Sequence, residues 1–307
     1  MTVRKYGQLS RILELDPVSD HSEIYRLSFG YEFPWEYRIA GRVALLNTFC
    51  APSISELLIA SQGFVEDNQR RYDNTAILIT ELAHNGYDSA RGRQVISMMN
   101  RVHSHYAISN EDMLYVLAGL IFDPIAWIDR FGWRPLSRHE KHATFHFYRE
   151  VGRRMAIRDI PECYDELLQF KLDYERTRFR YAASSRELGE RSLRLMCSWY
   201  PRPVRGVIRR GVLALLDPLL LTAFGYAPPS PVTRFLAVKA LRLRARAVRL
   251  LPARKAVAPV VRDRDNHSYP GYPEAYDLPD LARSGPPTGI DPRWLRPSRH
   301  EPHRSSS

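Results

Sequence analysis

The chain has 307 residues, of which 44% are hydrophobic, so it can bury a sizeable core in one large domain or two ordinary ones. Its three cysteines, Cys50, Cys163 and Cys197, stand far apart and form neither a CxxC pair nor a disulfide framework, which favours a reducing compartment. The N-terminus lacks the apolar core of a signal peptide, and no apolar run reaches the roughly 18 residues of a membrane span. These features favour a cytoplasmic protein.

Positive charge is concentrated in the C-terminal third of the chain. The formal net charge is +11, yet the only acidic residue between Met196 and Arg262 is Asp217. Such a stretch can attract anionic lipid, nucleic acid or an acidic partner. Its basic residues are interleaved with leucine and valine rather than with the aromatic residues on which bases stack, so nothing beyond charge indicates a nucleic-acid partner.

The first two thirds of the sequence are typical of helices with repeated start signals. Three serines are each followed, three residues later, by an acidic residue, which is the pattern of a helix-capping box. The pairs are Ser53 with Glu56, Ser109 with Asp112, and Ser137 with Glu140. We expect the helix after Ser137 to reach about Met155, and Pro161 to lie in the first turn of the helix that follows.

Signals for β-strands are poor, and the dipeptide Asn85-Gly86 indicates the end of a helix rather than a hairpin. The sequence therefore predicts an all-α fold with a single multi-helix domain over residues 30–255, preceded by a lead-in at 1–29. Residues 232–251 form a basic amphipathic helix, which could pack on the core or contact an anionic membrane surface. Residues 256–307 are predicted to be a mostly disordered polar tail.

One candidate site lies in the segment that contains Arg71, Asn74 and Thr75. Spacings of three and four residues place these side chains on one face of a helix. A guanidinium, an amide and a hydroxyl together can hold a carboxylate or a polarised oxygen atom. The alternative is a solvated helix face on which Arg71 and Asp73 take part in ordinary surface pairs.

Two histidines, His103 and His105, stand near the end of an apolar-periodic segment. Residues two apart on a helix point about 200° apart, so at most one of them binds a given ligand. His103 shares a face with Met99 and Tyr106. A single imidazole, with an arginine and a hydroxyl on another helix, suits a macrocycle better than one bare metal ion. The alternative is a histidine whose ring is satisfied by a backbone carbonyl.

A second group of histidines, His139, His142 and His146, is spaced so that one helix face could offer three imidazoles to zinc or to a non-haem metal. The segment does not have the HExxH pattern of zinc proteases, and a polar face in contact with solvent is the alternative. Other catalytic motifs, such as a phosphate-binding loop, a GxSxG elbow or a kinase set, do not occur in the sequence.

Several short motifs, taken in their order along the chain, resemble the MpaB/rubber-oxygenase family, which includes proteins like the latex clearing protein, and the MpaB branch in particular. The resemblance is good over residues 30–180 and weaker to about residue 255. The motifs are Phe33-Pro34-Trp35-Glu36, Pro52-Ser53-Ile54-Ser55, Arg71-Tyr72-Asp73-Asn74-Thr75, Asn100-Arg101-Val102-His103-Ser104-His105-Tyr106, Ile108-Ser109-Asn110-Glu111-Asp112-Met113-Leu114-Tyr115, and Trp133-Arg134-Pro135-Leu136.

The resemblance implies a globin-like helical core that holds haem b. It implies that His103 is the iron ligand, and that Arg71 and Thr75 lie on the distal helix, with Arg71 also contacting the cofactor. Asn74 stands where the family has a lysine, and His105 stands where the rubber-oxygenase branch has an arginine. The set Arg71, Asn74 and Thr75 is therefore expected to orient dioxygen.

The resemblance also implies a function, namely that of a haem b-dependent oxygenase that uses dioxygen on a hydrophobic small molecule. The expected substrate is an unsaturated, isoprenoid- or lipid-like chain, and the expected reaction is oxidative cleavage of a carbon–carbon double bond. A different class of function stays open, that of a haem-binding or peripheral membrane protein without turnover. A third hypothesis is hydrolysis by a non-haem metal held by His139, His142 and His146.

Overall fold

The computed structural model describes residues 7–257, 278–281 and 286–297, and within them the chain is helical apart from turns and one isolated β-bridge. The predicted all-α class is thus confirmed. The helices are α1 Gly7–Glu14, α2 His21–Leu27, α3 Pro34–Phe49, α4 Pro52–Ala60, α5 Gly63–Glu66, α6 Asn68–Asn85, α7 Ala90–Ser104, α8 Asn110–Phe131, α9 Arg138–Arg154, α10 Tyr164–Arg178, α11 Ala183–Ser198, α12 Arg205–Leu215, α13 Pro218–Phe224, α14 Pro231–Leu250 and the short α15 Leu278–Leu281.

The centre of the fold is α8, which packs against α3, α9 and α10. Its apolar side chains recur at helical spacing, and Leu114, Leu117, Ile121 and Phe122 are all buried. The hydroxyl of Ser109 accepts a hydrogen bond from the amide of Asp112 at 3.0 Å and caps the first turn. A long apolar helix with a fixed start therefore gives the neighbouring helices a surface on which to pack.

The observed helix starts can be compared with the three predicted capping boxes. The box at Ser137 is confirmed in full. Its hydroxyl accepts from the amide of Glu140 at 3.2 Å, and the Glu140 carboxylate accepts from the amide of Ser137 at 2.7 Å. The box at Ser53 is wrong, because Pro52 already occupies the first helical position after the extended residue Ala51. The hydroxyl of Ser53 instead donates to the carboxylate of Asp112 at 3.0 Å and ties α4 to α8.

The predicted position of Pro161 is also wrong, because the next helix starts only at Tyr164. The residue before it, Cys163, has an extended backbone with φ −102° and ψ 138°. The break between the two helices therefore extends beyond Pro161. The next helix begins at Tyr164, and its first turn buries Leu167 fully.

A buried ion network joins three separate parts of the chain around Arg134. Its guanidinium contacts the Glu32 carboxylate at 2.8 Å and the Glu140 carboxylate at 2.7 Å. The three side chains are 8%, 3% and 0% exposed, in that order. Ser28 donates a further hydrogen bond to Glu140 at 2.9 Å, and the indole of Trp133 donates to the carbonyl of Glu32 at 3.0 Å. The start of α9 is thereby fixed to the turn that precedes α3.

Parts of the chain outside the predicted domain pack on it. In the predicted lead-in, α2 packs against α9 and buries Ile24, Tyr25 and Leu27. In the predicted disordered tail, most residues lie outside the described part of the chain, but Leu278 and Leu281 are buried in the main core. Apolar burial thus holds at least these two tail residues in place.

The C-terminal basic helix, predicted over residues 232–251, is α14, which packs on α12 and α8. Its inner face is fixed by Arg244, whose guanidinium lies 3.4 Å from the ring centroid of Trp35 and 2.7 Å from the carboxylate of Glu36. Within the described residues no single helix is both long and apolar enough to cross a bilayer. Only the bent pair α3 and α4, which meet at 97°, reaches that length and apolarity together.

We expect Arg134→Met to lower the free energy of unfolding by about 3–5 kcal/mol, because it leaves two buried carboxylates without their counter-ion. Lys141→Met is the matched control, since the side chains of Lys141 and Asp129 are 30% and 32% exposed and their ion pair should contribute less than about 1 kcal/mol. Chemical denaturation followed by circular dichroism measures both values. Equal losses of stability in the two variants would contradict a structural role for the Arg134 network.

Candidate functional site

The helices α6 and α7 form an antiparallel hairpin. Arg71, Asn74 and Thr75 lie on α6, and His103 lies on α7. The carboxylate of Asp67 caps α6 by accepting from the amide of Arg70 at 3.0 Å, and the hydroxyl of Ser89 caps α7 by accepting from the amide of Gly92 at 2.9 Å. Between the helices Gly86 has φ +72°, and a Cβ on Gly92 would lie 1.9 Å from the carbonyl oxygen of Gly86. The hairpin is therefore closed tightly at this end.

The opposite, open end of the hairpin holds Arg71. Its Nη1 donates to the hydroxyl of Thr75 at 2.6 Å, and its guanidinium lies 5.3 Å from the ring centroid of Phe64. Among the described residues no carboxylate forms an ion pair with Arg71. Burial lowers the pKa of Arg71, as expected for a cation that is removed from water without an anionic partner.

His103 lies in the last turn of α7, at the same end of the hairpin. Its Nδ1 is buried and has no hydrogen-bond partner. Burial, together with the nearby positive charge of Arg71, lowers the pKa of His103 to about 4. The imidazole is therefore neutral at physiological pH, and one of its nitrogen atoms is unsatisfied.

Tyr106 completes this group of side chains. It is 8% exposed, and its hydroxyl lies close enough to Arg71 for the two groups to shift each other's pKa. Burial raises the pKa of Tyr106 more than the charge of Arg71 lowers it, so the phenol stays protonated. We call Arg71, Thr75, His103 and Tyr106 the hairpin cluster.

Asn74 lies on the same helix but makes a different contact. Its side chain is buried, and its Nδ2 donates to the backbone carbonyl of Leu281 at 2.9 Å. The predicted face with Arg71 and Thr75 therefore divides into two parts. Arg71 and Thr75 contact each other, whereas the amide of Asn74 holds the C-terminal segment.

His105 caps the C-terminus of α7, and its environment differs from that of His103. Its ring meets the ring of Tyr106 edge-on with centroids 6.5 Å apart, and its Nδ1 is also buried without a hydrogen-bond partner. Its carbonyl oxygen accepts a hydrogen bond from the amide of Arg296 at 3.1 Å.

The second histidine group lies on α9, away from the hairpin. His142 stacks on Tyr164 with ring centroids 5.5 Å apart, and the ring of His146 lies 6.2 Å from that of His21. His142 and His146 line a cavity of about 720 Å³ beside Lys141. In the part of the chain that the structure describes, no three His, Cys, Asp or Glu side chains are arranged to hold a metal ion. The hypothesis of a metal hydrolase gains no support there.

Sequence reasoning missed two side chains of this region. Phe64, on the short helix α5, gave no motif or spacing signal, yet its ring lies against Arg71. The sequence suggested for Asp73 only the alternative of a surface pair, but it is 0% exposed; Gln69 donates to its Oδ1 at 2.8 Å, and its Oδ2 is buried without a hydrogen-bond partner among the described residues. Burial raises the pKa of Asp73 to about 8.

A family model and the similar proteins found by comparison point to the same family. Residues 37–250 match the family model described as "ER-bound oxygenase mpaB/B'/Rubber oxygenase, catalytic domain". The chain is 36% identical over 132 residues to the ER-bound oxygenase mpaB of Penicillium roqueforti (strain FM164), which covers 41% of this chain and 44% of that protein. It is 28% identical over 218 residues to the ER-bound oxygenase mpaB' of Penicillium brevicompactum, which covers 65% and 52%. The chain thus spans about half the length of these relatives.

Asp73 generates a prediction about pH. Because its pKa in the fold is about 8, against about 4 in an unfolded chain, the fold favours the protonated form, and this contribution is lost as pH rises towards 8. We expect Asp73→Asn, which imitates the protonated carboxyl, to lose less stability than the natural chain between pH 5 and pH 8. The difference should grow by up to about 1.4 kcal/mol for each pH unit.

Urea denaturation at several pH values measures this difference. Glu66→Gln, at an exposed position of α5, is the control and should follow the natural chain. Parallel curves for the natural chain and Asp73→Asn would show that the buried carboxyl does not take up a proton on folding.

Proposed function

The chain belongs to the family of the ER-bound oxygenases mpaB and mpaB' and the rubber oxygenases, and on this premise we propose that it is a haem b-dependent oxygenase of a hydrophobic, unsaturated substrate. The observation that carries the proposal is the hairpin cluster, where a neutral imidazole with an unsatisfied Nδ1 atom lies near a guanidinium that has no counter-ion among the described residues. A globin-like core of helices around haem is the arrangement implied for this family.

The residues of the cluster fit haem by their chemistry. A neutral imidazole is the common protein ligand of haem iron, and the Nδ1 atom of His103 is buried and unsatisfied. Arg71, which has no carboxylate partner among the described residues, can pair with a haem propionate or with an oxygen atom that carries negative charge. When bound, haem would supply the activation of dioxygen.

The remaining side chains would control polarity and orientation. Arg71 has five N–H donors, and its hydrogen bond with Thr75 fixes the direction of the guanidinium. Thr75 donates to the carbonyl of Arg71 at 3.1 Å, so its hydroxyl has a defined position. We propose that these two side chains orient dioxygen next to the cofactor. Asn74 would contribute indirectly, because its amide is engaged by Leu281.

Apolar side chains on and beside the two hairpin helices support the proposed substrate class. The partly buried side chains Leu78, Met99 and Met113 pack on the main core beside these helices. A substrate channel beside such side chains would favour an isoprenoid- or lipid-like chain over a charged metabolite. Oxidative cleavage of a carbon–carbon double bond is the proposed reaction, with dioxygen as co-substrate. A haem-binding protein without turnover is the second candidate, since Asn74 replaces the lysine implied for the family.

We propose in addition that the outer face of α14 contacts an anionic membrane surface. Val232, Leu236, Leu243 and Leu250 are 60–78% exposed on this face, and Lys239 and Arg246 lie between them at helical spacing. Apolar side chains among basic ones are suited to the interface of an anionic bilayer. The names of the fungal relatives, which call them ER-bound, are consistent with such a contact.

We expect protein purified from haem-sufficient cells to carry stoichiometric haem b, and His103→Ala to bind haem more than about tenfold more weakly, because it lacks the proposed iron ligand. The pyridine haemochrome spectrum measures haem content, and circular dichroism checks that the helices persist. His142→Ala, in the separate cavity on α9, is the control and should keep its haem.

Two outcomes would contradict this proposal in different ways. Full haem occupancy in His103→Ala would remove His103 from the iron, whereas a natural chain without haem after reconstitution would remove the cofactor itself. Bound haem without oxygen uptake on unsaturated lipids would favour the candidate without turnover.

Vesicle flotation tests the proposed membrane face. We expect the protein to float with vesicles that contain phosphatidylserine and to float less with neutral phosphatidylcholine vesicles. The triple variant Leu236→Ser, Leu243→Ser, Leu250→Ser should weaken binding by at least about tenfold, since it removes the apolar anchors. Leu172→Ser, an exposed leucine on α10, is the matched control. Failure of the natural chain to float with either vesicle would dismiss the membrane contact.

A further inference from the structure

The C-terminal segment contacts the helix that carries Arg71. Residues 278–281 and 286–297 lie beyond residue 250, where the match to the family model ends. Leu278 and Leu281 are 4% and 6% exposed and belong to the main core. Leu281 also accepts the hydrogen bond from Asn74, whose neighbour one position along is Thr75. This part of the segment therefore lies directly against α6.

The same segment contacts the chain immediately after His103. Tyr106 and Leu295 form an antiparallel β-bridge. In this bridge the amide of Ala107 donates to the carbonyl of Trp294 at 2.9 Å, and the amide of Arg296 donates to the carbonyl of His105 at 3.1 Å. The backbone that follows the candidate iron ligand is thus held by the far end of the chain.

We infer that residues 278–281 and 286–297 form a strap that makes one wall of the site at the hairpin cluster, and that Asn74 is the positioning residue that holds it. The inference rests on the proposed function for the identity of the site, but not for the contacts themselves. One contact lies on the helix of Arg71 and Thr75, and the other follows the helix of His103. The two described stretches thus contact both sides of the hairpin at the end that holds the cluster.

The nature of the contacts indicates that the strap can open. Between the described residues of the strap and the hairpin, the contacts are two backbone hydrogen bonds, one side-chain hydrogen bond and the two buried leucines, and no ion pair joins these residues. Such contacts are weak enough to break and re-form without unfolding the helices. An opening strap would admit a long apolar substrate, and a closed one would keep water from the cluster.

The inference also accounts for the residue at position 74. The family resemblance implies a lysine, and thus a longer and charged side chain, at this position. The shorter side chain of asparagine offers a neutral donor that reaches the carbonyl of Leu281 instead. In this chain the position would thus serve the strap and leave the polar contacts of the cofactor to Arg71 and Thr75.

Two variants at Arg296 test the strap with a matched control. The side chain of Arg296 is exposed, whereas its amide makes the hydrogen bond to His105. Arg296→Pro removes that donor, and Arg296→Ala retains it. The preceding residue, Leu295, has φ −95° and ψ 145°, a conformation that proline tolerates in its neighbour. Asn74→Leu removes the other contact without adding charge.

The readout is the rate at which diethyl pyrocarbonate modifies His103 in the full chain without haem, followed by peptide mass spectrometry. His142, in the separate cavity, is the internal reference. We expect Arg296→Pro and Asn74→Leu to speed the modification of His103 by about three- to tenfold, and Arg296→Ala to leave it unchanged. Hydrogen exchange at the amide of Ala107 should rise in parallel, while circular dichroism shows that the helices are intact.

Equal rates of modification in all variants would overturn the strap. A rise in Arg296→Ala equal to that in Arg296→Pro would also overturn it, because the backbone contact would then not be responsible. Both measurements are made without haem, so they decide about the strap even if the chain binds no haem. Conversely, a result that contradicts the strap would not affect the haem assignment, which the spectra of His103→Ala test separately.

Discussion

The paired burial of two carboxylates around one guanidinium is the constraint on which the helical arrangement depends. Arg134 holds Glu32 and Glu140 out of water, and neither carboxylate could stay buried without it. Because Glu140 also caps α9, the charge network and the start of that helix are one unit. The turn before α3 is joined to the same unit, and α3 in turn packs along α8. The position of the core helices thus follows from where these charges can be satisfied.

The hairpin cluster differs from the buried charge networks of the core in this respect. On α10, Lys171 is buried between Asp123 and Glu175, and Asn47 donates to Asp123 at 2.9 Å. In the networks of Arg134 and Lys171 each buried cation is therefore paired with two carboxylates. At the open end of the hairpin the fold leaves an imidazole nitrogen unsatisfied and a guanidinium without a counter-ion. Together with the unsatisfied Oδ2 atom of Asp73 on α6, these groups depart locally from the pairing seen in the two networks, as functional sites often do.

The sequence predicted the parts of this structure that depend on local chemistry. The capping box at Ser137 could be identified because its two hydrogen bonds join residues three apart, and the shared helix of Arg71 and Thr75 follows from spacing alone. Ser53 was misassigned because a proline one position earlier starts the helix. The contact of Asn74 with Leu281 joins residues 207 apart in the chain, and no local pattern carries that information. Likewise, the burial of Asp73 depends on which helices cover it, and the sequence does not show this. A charged residue by itself suggests an exposed position.

The bridge between Tyr106 and Leu295 has a consequence for how such chains diverge. Its hydrogen bonds use backbone groups only, so most side chains can occupy residues 294–296 without losing it. Substitutions could therefore accumulate in this stretch while its path over the hairpin stays the same. Related chains that keep the same geometry here could share little recognisable identity beyond the helical domain. Comparison of the C-terminal stretch by sequence alone would then underestimate how much of the site these proteins have in common.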